Sequence, residues 1–163
     1  KELTKMQPIY HVVADALNSI CGMKPRYYHS GLLENILQVL MLFNRSSVEQ
    51  DPLYATAYLG SVLDMLAGGS GGGGIASLIE CQLGFKRSDP MFKDGMTTEE
   101  FLSRVYKIGR SRTWHGSNPD LRKDWTNIRL RSEVICRWVF LVICWKIYEE
   151  PETQSFKKFR SRK

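Results

Sequence analysis

The sequence predicts an all-α fold, a bundle of about five helices, on three observations. Apolar residues recur at helical spacing through most of the chain, helix-capping residues precede several of these segments, and no useful stretch alternates apolar with polar residues as a strand does. The chain has 163 residues, of which 43% are hydrophobic, so it is long enough for one domain with its own core. We therefore interpret residues 1–163 as a single helical domain.

The helices are predicted in order from their apolar faces and boundaries. The first covers 9–21, and the second follows Ser30 as its N-cap. The third opens with Asp51 as N-cap and Pro52 at the first helical position. A short fourth helix covers 75–83, and a capping box of Thr97 with Glu100 starts the fifth. The last begins between residues 120 and 126 and ends near residue 148. The same spacing predicts a core made of Ile36, Leu40, Leu59, Leu63, Leu102, Val105, Val134, Trp138 and Leu141.

Two segments are predicted to lie outside the core. Residues 68–74 read GGSGGGG, a composition typical of engineered flexible linkers, and we expect this segment to be structurally silent. Residues 152–163 form a basic tail that we expect to be solvated. The net charge of the whole chain is +6, which favours anionic partners, with nucleic acid first.

The four cysteines form no CxxC pair and have no histidine at zinc-ligand spacing. We interpret them as buried free thiols in a reducing compartment, which predicts a cytoplasmic protein without a metal or another cofactor. The most apolar run, 138–145, is flanked by charged residues and is far shorter than the ~20 residues that a membrane span needs. No membrane partner is expected.

The segment 110–116, RSRTWHG, is the strongest functional signal, because it combines cations with one of only three histidines. Arginine binds phosphate through a planar fork, and histidine exchanges protons near neutral pH. Cleavage of RNA by attack of the ribose 2'-hydroxyl needs a base, an acid and positive charge on the transition state. Arg110 suits charge stabilisation and His115 suits proton transfer. If acid and base must both be histidine, two chains must contribute, which predicts a symmetric homodimer.

The geometry of the pair leaves two alternatives open. On a regular helix, positions five apart lie ~140° apart, so Arg110 and His115 do not share a face. Either the helix ends or distorts in this segment, or the long arginine side chain reaches around to the histidine. Arg112 is the competing phosphate ligand. Trp114 could stack on a base, and Ser111 could bond a phosphate oxygen. Further cations form either a phosphate-binding track or a solvated helix face, namely Arg122 and Arg129, with Lys123 as a third candidate.

The arrangement YKIGRSRTWHG, residues 106–116, resembles the HEPN superfamily and most closely its Apea-like branch. Tyr106, Arg110, Ser111, His115 and Gly116 fill the motif positions. The resemblance implies an all-helical bundle of four or five helices and a homodimer in which two R-x(4–6)-H motifs meet across a cleft. It implies metal-independent cleavage of RNA in a defence or toxin system, with an antitoxin or a regulatory domain as a further partner.

The sequence departs from that family pattern at two positions. Gly109 precedes the motif arginine, where it could loosen the helix, and Arg112 is a second arginine inside the motif. Two other interpretations stand beside the nuclease. One is a non-catalytic HEPN-like module that binds RNA or mediates dimerisation in a larger protein, and the other is a helical interaction domain unrelated to nucleic acid.

Overall fold

A computed structural model describes residues 2–23 and 28–161 of the chain. Over these residues the fold is all-helical, as predicted, and it contains no β-strand. The helices are α1 (Glu2–Ile20), α2 (Ser30–Val48), α3 (Pro52–Leu66), α4 (Gly71–Leu83), α5 (Thr98–Leu102), a π-helix (Ser103–Arg112), α6 (Thr126–Glu149) and a 3-10 helix (Phe156–Arg160).

Helix α3 lies at the centre of the bundle, where it packs against α2, α6 and the π-helix. Ten of its fifteen residues are buried. Its start is the predicted one: Pro52 occupies the first turn, and Oδ1 of Asp51 accepts a hydrogen bond from the Leu53 amide at 2.7 Å. Because α3 touches so many neighbours, the residues on its faces determine where the motif segment lies.

Of the other predicted helix starts, the capping box of α5 is confirmed, while α1, α2 and α4 begin earlier than predicted, at Glu2, Ser30 and Gly71. The Thr97 hydroxyl accepts from the Glu100 amide at 3.2 Å, and the Glu100 carboxylate accepts from the Thr97 amide at 2.8 Å, which completes the capping box. The N-cap of α2 is His29 and not Ser30. The His29 carbonyl already accepts from the amides of the next turn, so the helix begins one residue earlier than predicted.

Five of the predicted core residues are buried, and four are not. The buried ones are Ile36, Leu59, Leu63, Leu102 and Val105. Leu40 and Leu141 are half-buried, while Val134 and Trp138 are exposed, so the predicted buried face of α6 was wrong. The core face of α6 instead consists of Ile128, Ser132, Ile135, Cys136, Val139, Phe140, Ile143, Cys144 and Ile147. Helix α6 is apolar on nearly all sides in its second half, so spacing alone did not distinguish its two faces.

The glycine-rich segment is not structurally silent, which corrects the prediction for 68–74. Residues 71–74 form the first turn of α4, and Gly74 is buried. The Gly71 amide donates to Oδ1 of Asp64 at 2.8 Å. A Cβ atom at Gly71 would lie 3.2 Å from the Tyr106 hydroxyl oxygen, so the absence of a side chain lets this turn pack closely on the Tyr106 side chain. The close contact and the amide bond offset the low helix propensity of glycine.

The basic tail is not solvated throughout, which corrects the prediction for 152–163. Phe156 and Phe159 of the 3-10 helix are buried against the core and pack beside α4. The Cys81 thiol donates to the Arg160 carbonyl at 3.0 Å, and the side-chain Nε2 of Gln82 donates to the Phe159 carbonyl. Two phenylalanines in the otherwise polar and basic segment 156–163, FKKFRSRK, were the signal for this docking. The last two residues of the tail, 162–163, lie outside the described residues.

The cysteines also differ from the prediction at two positions. Cys136 and Cys144 are buried, and burial raises the pKa of both thiols, that of Cys144 to about 12. Cys81 is half-buried, whereas Cys21 is exposed near the end of the first helix. Across the described ranges, no single helix is long and apolar enough to cross a membrane. Only α3 and α4 together reach that apolar length, and they are bent by 72° at their junction.

Candidate functional site

The motif segment lies at the end of a widened helix that packs closely on α3. Helix α5 continues directly into the π-helix, which ends at Arg112, and π-helical turns are frequent at functional sites. A Cβ atom at Gly60 would lie 2.8 Å from Cβ of Arg110 and 2.9 Å from the Val105 carbonyl oxygen. Gly109 is buried, and its Cβ would lie 3.1 Å from the Thr56 methyl group. Both glycines therefore permit the close approach of the two helices.

Arg110 is held by two partners on the inner side of the motif. Its Nη2 lies 3.1 Å from Oδ2 of Asp64, a carboxylate whose side chain is only 12% exposed. Its Nη1 donates to the Tyr106 hydroxyl at 3.4 Å, and the guanidinium carbon lies 5.2 Å from the centre of the Tyr106 ring. Its Nε is buried and has no acceptor among the described residues. The arginine is therefore fixed in position, and part of its charge is neutralised by Asp64.

His115 differs from Arg110 in every one of these respects. The residue is exposed, and its imidazole forms no hydrogen bond, ion pair or ring contact within 2–23 and 28–161. Its backbone amide donates to the Ser111 carbonyl at 3.2 Å, and Gly116, in the left-handed conformation, ends the helix one residue later. An exposed imidazole on a fixed helix end is accessible to a substrate and can accept or donate a proton.

The two motif residues do not meet within one chain. The Arg110 guanidinium contacts Asp64, whereas Trp114, next to His115, packs its ring 5.4 Å from that of Tyr58. Tyr58 and Asp64 are six residues apart on α3, which corresponds to ~9 Å along the helix axis. Nothing in the described part of the chain connects the side chains of Arg110 and His115.

Of the two alternatives left open by the sequence, the helix does distort, by widening into a π-helix. Positions five apart stack in a π-helix, which would bring the motif pair onto one face. The widening ends at Arg112, however, and the His115 amide returns to an α-type bond. The long Arg110 side chain does not reach around to the histidine, because it is bound to Asp64.

The residues predicted to contact RNA fall into two groups. Some have accessible side chains, and one is already bound to other parts of the protein. Ser111 and Arg112 are half-buried, and Trp114 is 46% exposed. Arg122 is exposed in the turn before α6. Arg129, by contrast, donates to the carbonyls of Ser46 and Glu49 at 3.1 and 2.9 Å and pairs with Glu133. Arg129 thus caps the end of α2 and is not available to phosphate in this arrangement.

Several residues around the motif were not identified from the sequence. Asp64 is a carboxylate within an otherwise apolar helix, and buried carboxylates are normally paired, which was the available signal for an arginine partner. Asn118 is buried, donates to the Thr113 hydroxyl at 2.7 Å and accepts from the Asp120 amide at 2.7 Å, so it fixes the turn after the motif. The Tyr54 and Tyr58 rings that face Trp114 gave no sequence signal beyond their helical spacing.

The surface near the motif is cationic and lacks a metal cluster. Exposed cations lie along the outer side of the π-helix and in the following turn, namely Arg104, Lys107, Arg122 and Lys123, the last paired with Asp120. Within the residues that the structure describes, no group of three or more His, Cys, Asp or Glu side chains could hold a metal ion.

Comparison with known proteins assigns neither a family nor a function to the chain. The all-helical fold, the fixed arginine and the exposed histidine are therefore the properties on which a functional proposal must rest. No family model, curated protein or solved structure matches the chain.

Proposed function

We propose that this domain is a metal-independent endoribonuclease of the HEPN type that cleaves RNA by 2'-hydroxyl attack. His115 transfers protons, Arg110 stabilises the charge of the pentavalent transition state, and Ser111, Arg112 and Trp114 contact the RNA. The observation that carries the proposal is the exposed, unpartnered imidazole of His115 on a cationic surface, one turn from an arginine fixed by Asp64 and Tyr106.

The separation of the two side chains within one chain favours a composite site. Arg110 is bound near the C-terminal end of α3, and His115 lies beside the aromatic cluster of Tyr54, Tyr58 and Trp114. A site that uses both residues therefore takes the histidine from a second copy of the chain, or it releases Arg110 from Asp64. Two copies would also supply the acid and the base as two histidines.

Cleavage of a single-stranded RNA in the presence of a chelator tests the proposal. We expect products with a 2',3'-cyclic phosphate, and we expect no cleavage where the attacking 2'-hydroxyl is replaced by hydrogen. His115→Ala should reduce the rate by about two to four orders of magnitude, because it removes the proton-transfer group.

The matched control is His29→Ala, which removes another exposed imidazole at the start of α2. This variant should cleave at the parent rate. Equal rates for the parent and His115→Ala would disprove the catalytic assignment, and RNA binding without cleavage would leave a binding module.

A second candidate function, assembly of a larger protein through dimerisation, is favoured by an apolar stripe on α6. We define the stripe as Leu130, Val134, Trp138, Leu141 and Trp145, which recur every three or four residues along one side of the helix. All except Leu141 are exposed, Trp138 to 58%. Together they expose on the order of 400–500 Å² of apolar surface, as much as the largest patch on a typical monomer.

The occupant that fits the stripe is a second copy of this chain. Antiparallel pairing of two α6 helices about a point between Trp138 and Leu141 places Val134 opposite Trp145 of the partner subunit. The starts of the two helices would then lie ~40 Å apart, so this dimer would not bring two motifs together.

Substitution in the stripe tests this second candidate. Trp138→Glu should weaken self-association by about thirtyfold or more if the stripe is the interface, because a central aromatic residue is replaced by a charge. Leu121→Glu is the control, since Leu121 is an exposed apolar residue outside the stripe. A dimer that persists in Trp138→Glu, as sedimentation would show, excludes the stripe as its interface.

A further inference from the structure

A cavity of about 400 Å³ lies on the inner side of the motif, between α2, α3 and the 3-10 helix. Its polar lining comes from Asn35, Ser61, Asp64, Arg110, Ser155 and Lys157. This volume lies in the range of small-molecule sites. The cavity is separate from the exposed imidazole of His115, which does not line it.

Two cations reach this cavity because two glycines make room for them. Cβ of Arg110 lies against Gly60, where a side chain would approach to 2.8 Å. The Lys157 side chain lies against Gly68, where a Cβ atom would lie 2.7 Å from its Cγ. The docking of the tail through buried Phe156 and Phe159 holds Lys157 at this position. The backbone of Lys157 thus belongs to the docked tail, and its exposed side chain lines the cavity.

The charge and hydrogen-bonding capacity of the lining favour an anion. Arg110 and Lys157 contribute two positive charges against the single carboxylate of Asp64, and both oxygens of that carboxylate are already used, by Arg110 and by the Gly71 amide. Lys157 makes no ion pair with any described residue. The Asn35 side chain likewise has no hydrogen-bond partner there, and the Ser155 hydroxyl is used only as an acceptor, for the Lys157 amide.

We propose that this cavity binds a phosphate group through Arg110, Lys157, Asn35 and Ser155. A phosphate dianion accepts several charge-assisted hydrogen bonds at once, and a planar guanidinium next to an ammonium group matches that demand. The phosphate competes with Asp64 for Arg110. The inference goes beyond the proposed function, since binding in the cavity requires neither His115 nor cleavage.

Titration of the purified full chain with inorganic phosphate tests the site. Binding should raise the midpoint of thermal unfolding above that in chloride at matched ionic strength, because the ligand binds the folded state. Lys157→Ala should weaken phosphate binding by about tenfold or more, and Asn35→Ala by less, since charge-assisted bonds are stronger than neutral ones. Asp64→Asn should strengthen binding, because it removes the competing negative charge.

Lys93→Ala is the matched control, as Lys93 is an exposed lysine that does not line the cavity. Equal weakening by Lys93→Ala and Lys157→Ala would overturn the proposal, and so would the absence of any phosphate effect beyond matched chloride. A non-cleavable deoxyribonucleotide oligomer distinguishes the source of the phosphate. If the oligomer displaces inorganic phosphate, the site binds a nucleic-acid backbone, and otherwise it binds a free phosphate or a mononucleotide phosphate group.

Discussion

The two ends of the motif segment differ in how much of the fold depends on them. At the Arg110 end, the side chain lies against Gly60, pairs with Asp64 and stacks on Tyr106. At the His115 end, the imidazole is exposed and forms no hydrogen bond, ion pair or ring contact with a described residue. Arg110 is thus part of the packing of the helical bundle, whereas His115 lies on its surface with an accessible imidazole.

One motif can therefore combine a structural position with a purely chemical one. Removal of the Arg110 side chain would leave the carboxylate of Asp64 without its cation, and an unpaired, largely buried charge destabilises the fold. Removal of the His115 side chain leaves nothing unpaired. Substitutions at the two ends should therefore separate effects on folding from effects on chemistry.

At the arginine end of the motif, the strongest change is expected in the cleavage rate of Arg110→Lys. Lysine keeps the charge opposite Asp64 but lacks the planar fork, so the transition state loses a positioned donor. We expect single-turnover cleavage to slow by about 10²–10³-fold, as for loss of one oxyanion donor, while the protein stays folded because Asp64 keeps a cation opposite it.

Arg104→Lys is the matched control on the same helix, because Arg104 is exposed and lies outside the motif. It should leave the rate unchanged. If Arg110→Lys cleaves like the parent, Arg110 acts only in packing, and Arg112 becomes the phosphate ligand.

The next prediction concerns the stability of the fold and Gly60, where the missing side chain leaves room for Arg110. In Gly60→Ala the new methyl group would lie 2.8 Å from Cβ of Arg110 and 2.9 Å from a backbone oxygen, so the π-helix must move. Overpacking of this kind costs about 1–3 kcal/mol, which exceeds the gain in helix propensity of about 1 kcal/mol or less. Denaturant unfolding should therefore report a net loss of up to about 2 kcal/mol.

Gly31→Ala provides the comparison in another helix. A Cβ atom there would lie 3.5 Å or more from the nearest side chain, an ordinary contact. This variant should be as stable as the parent or slightly more stable. A Gly60→Ala protein that is no less stable than Gly31→Ala would mean that the close approach of α3 and the π-helix is not required.

The sequence was sufficient for those parts of the fold that local chemistry determines. The all-α class, the Asp51 cap of α3 and the capping box of Thr97 with Glu100 are confirmed, because each depends on neighbours in the chain. The faces of α6 were not predictable in this way. Its second half is apolar on nearly all sides, so the choice of Val139 over Trp138 for the core depends on the surrounding helices.

The same limit explains what was missed at the site. Three features depend on contacts between distant parts of the chain. They are the pairing of Asp64 with Arg110, the helical turn at 71–74, and the docking of Phe156 and Phe159 beside α4. Composition assigned the glycine-rich segment and the basic tail to solvent, but close packing on Tyr106 and burial of two rings outweigh composition. The catalytic roles of Arg110 and His115 remain predictions.

A weaker effect is expected at Arg112, which lies between the two ends of the motif and is half-buried at the end of the π-helix. If it contacts one RNA phosphate without touching the reacting atoms, Arg112→Ala should weaken binding similarly for all sequences. The slope of log K against log salt for a single strand should become shallower by about 0.7, the release of one phosphate counterion. The cleavage rate at saturating RNA should stay close to that of the parent.

Titrations of a non-cleavable oligonucleotide at several salt concentrations measure the slope directly. An unchanged slope would place Arg112 outside the RNA contact, and a fall in the saturated rate as large as that of Arg110→Lys would make Arg112 the residue that binds the reacting phosphate.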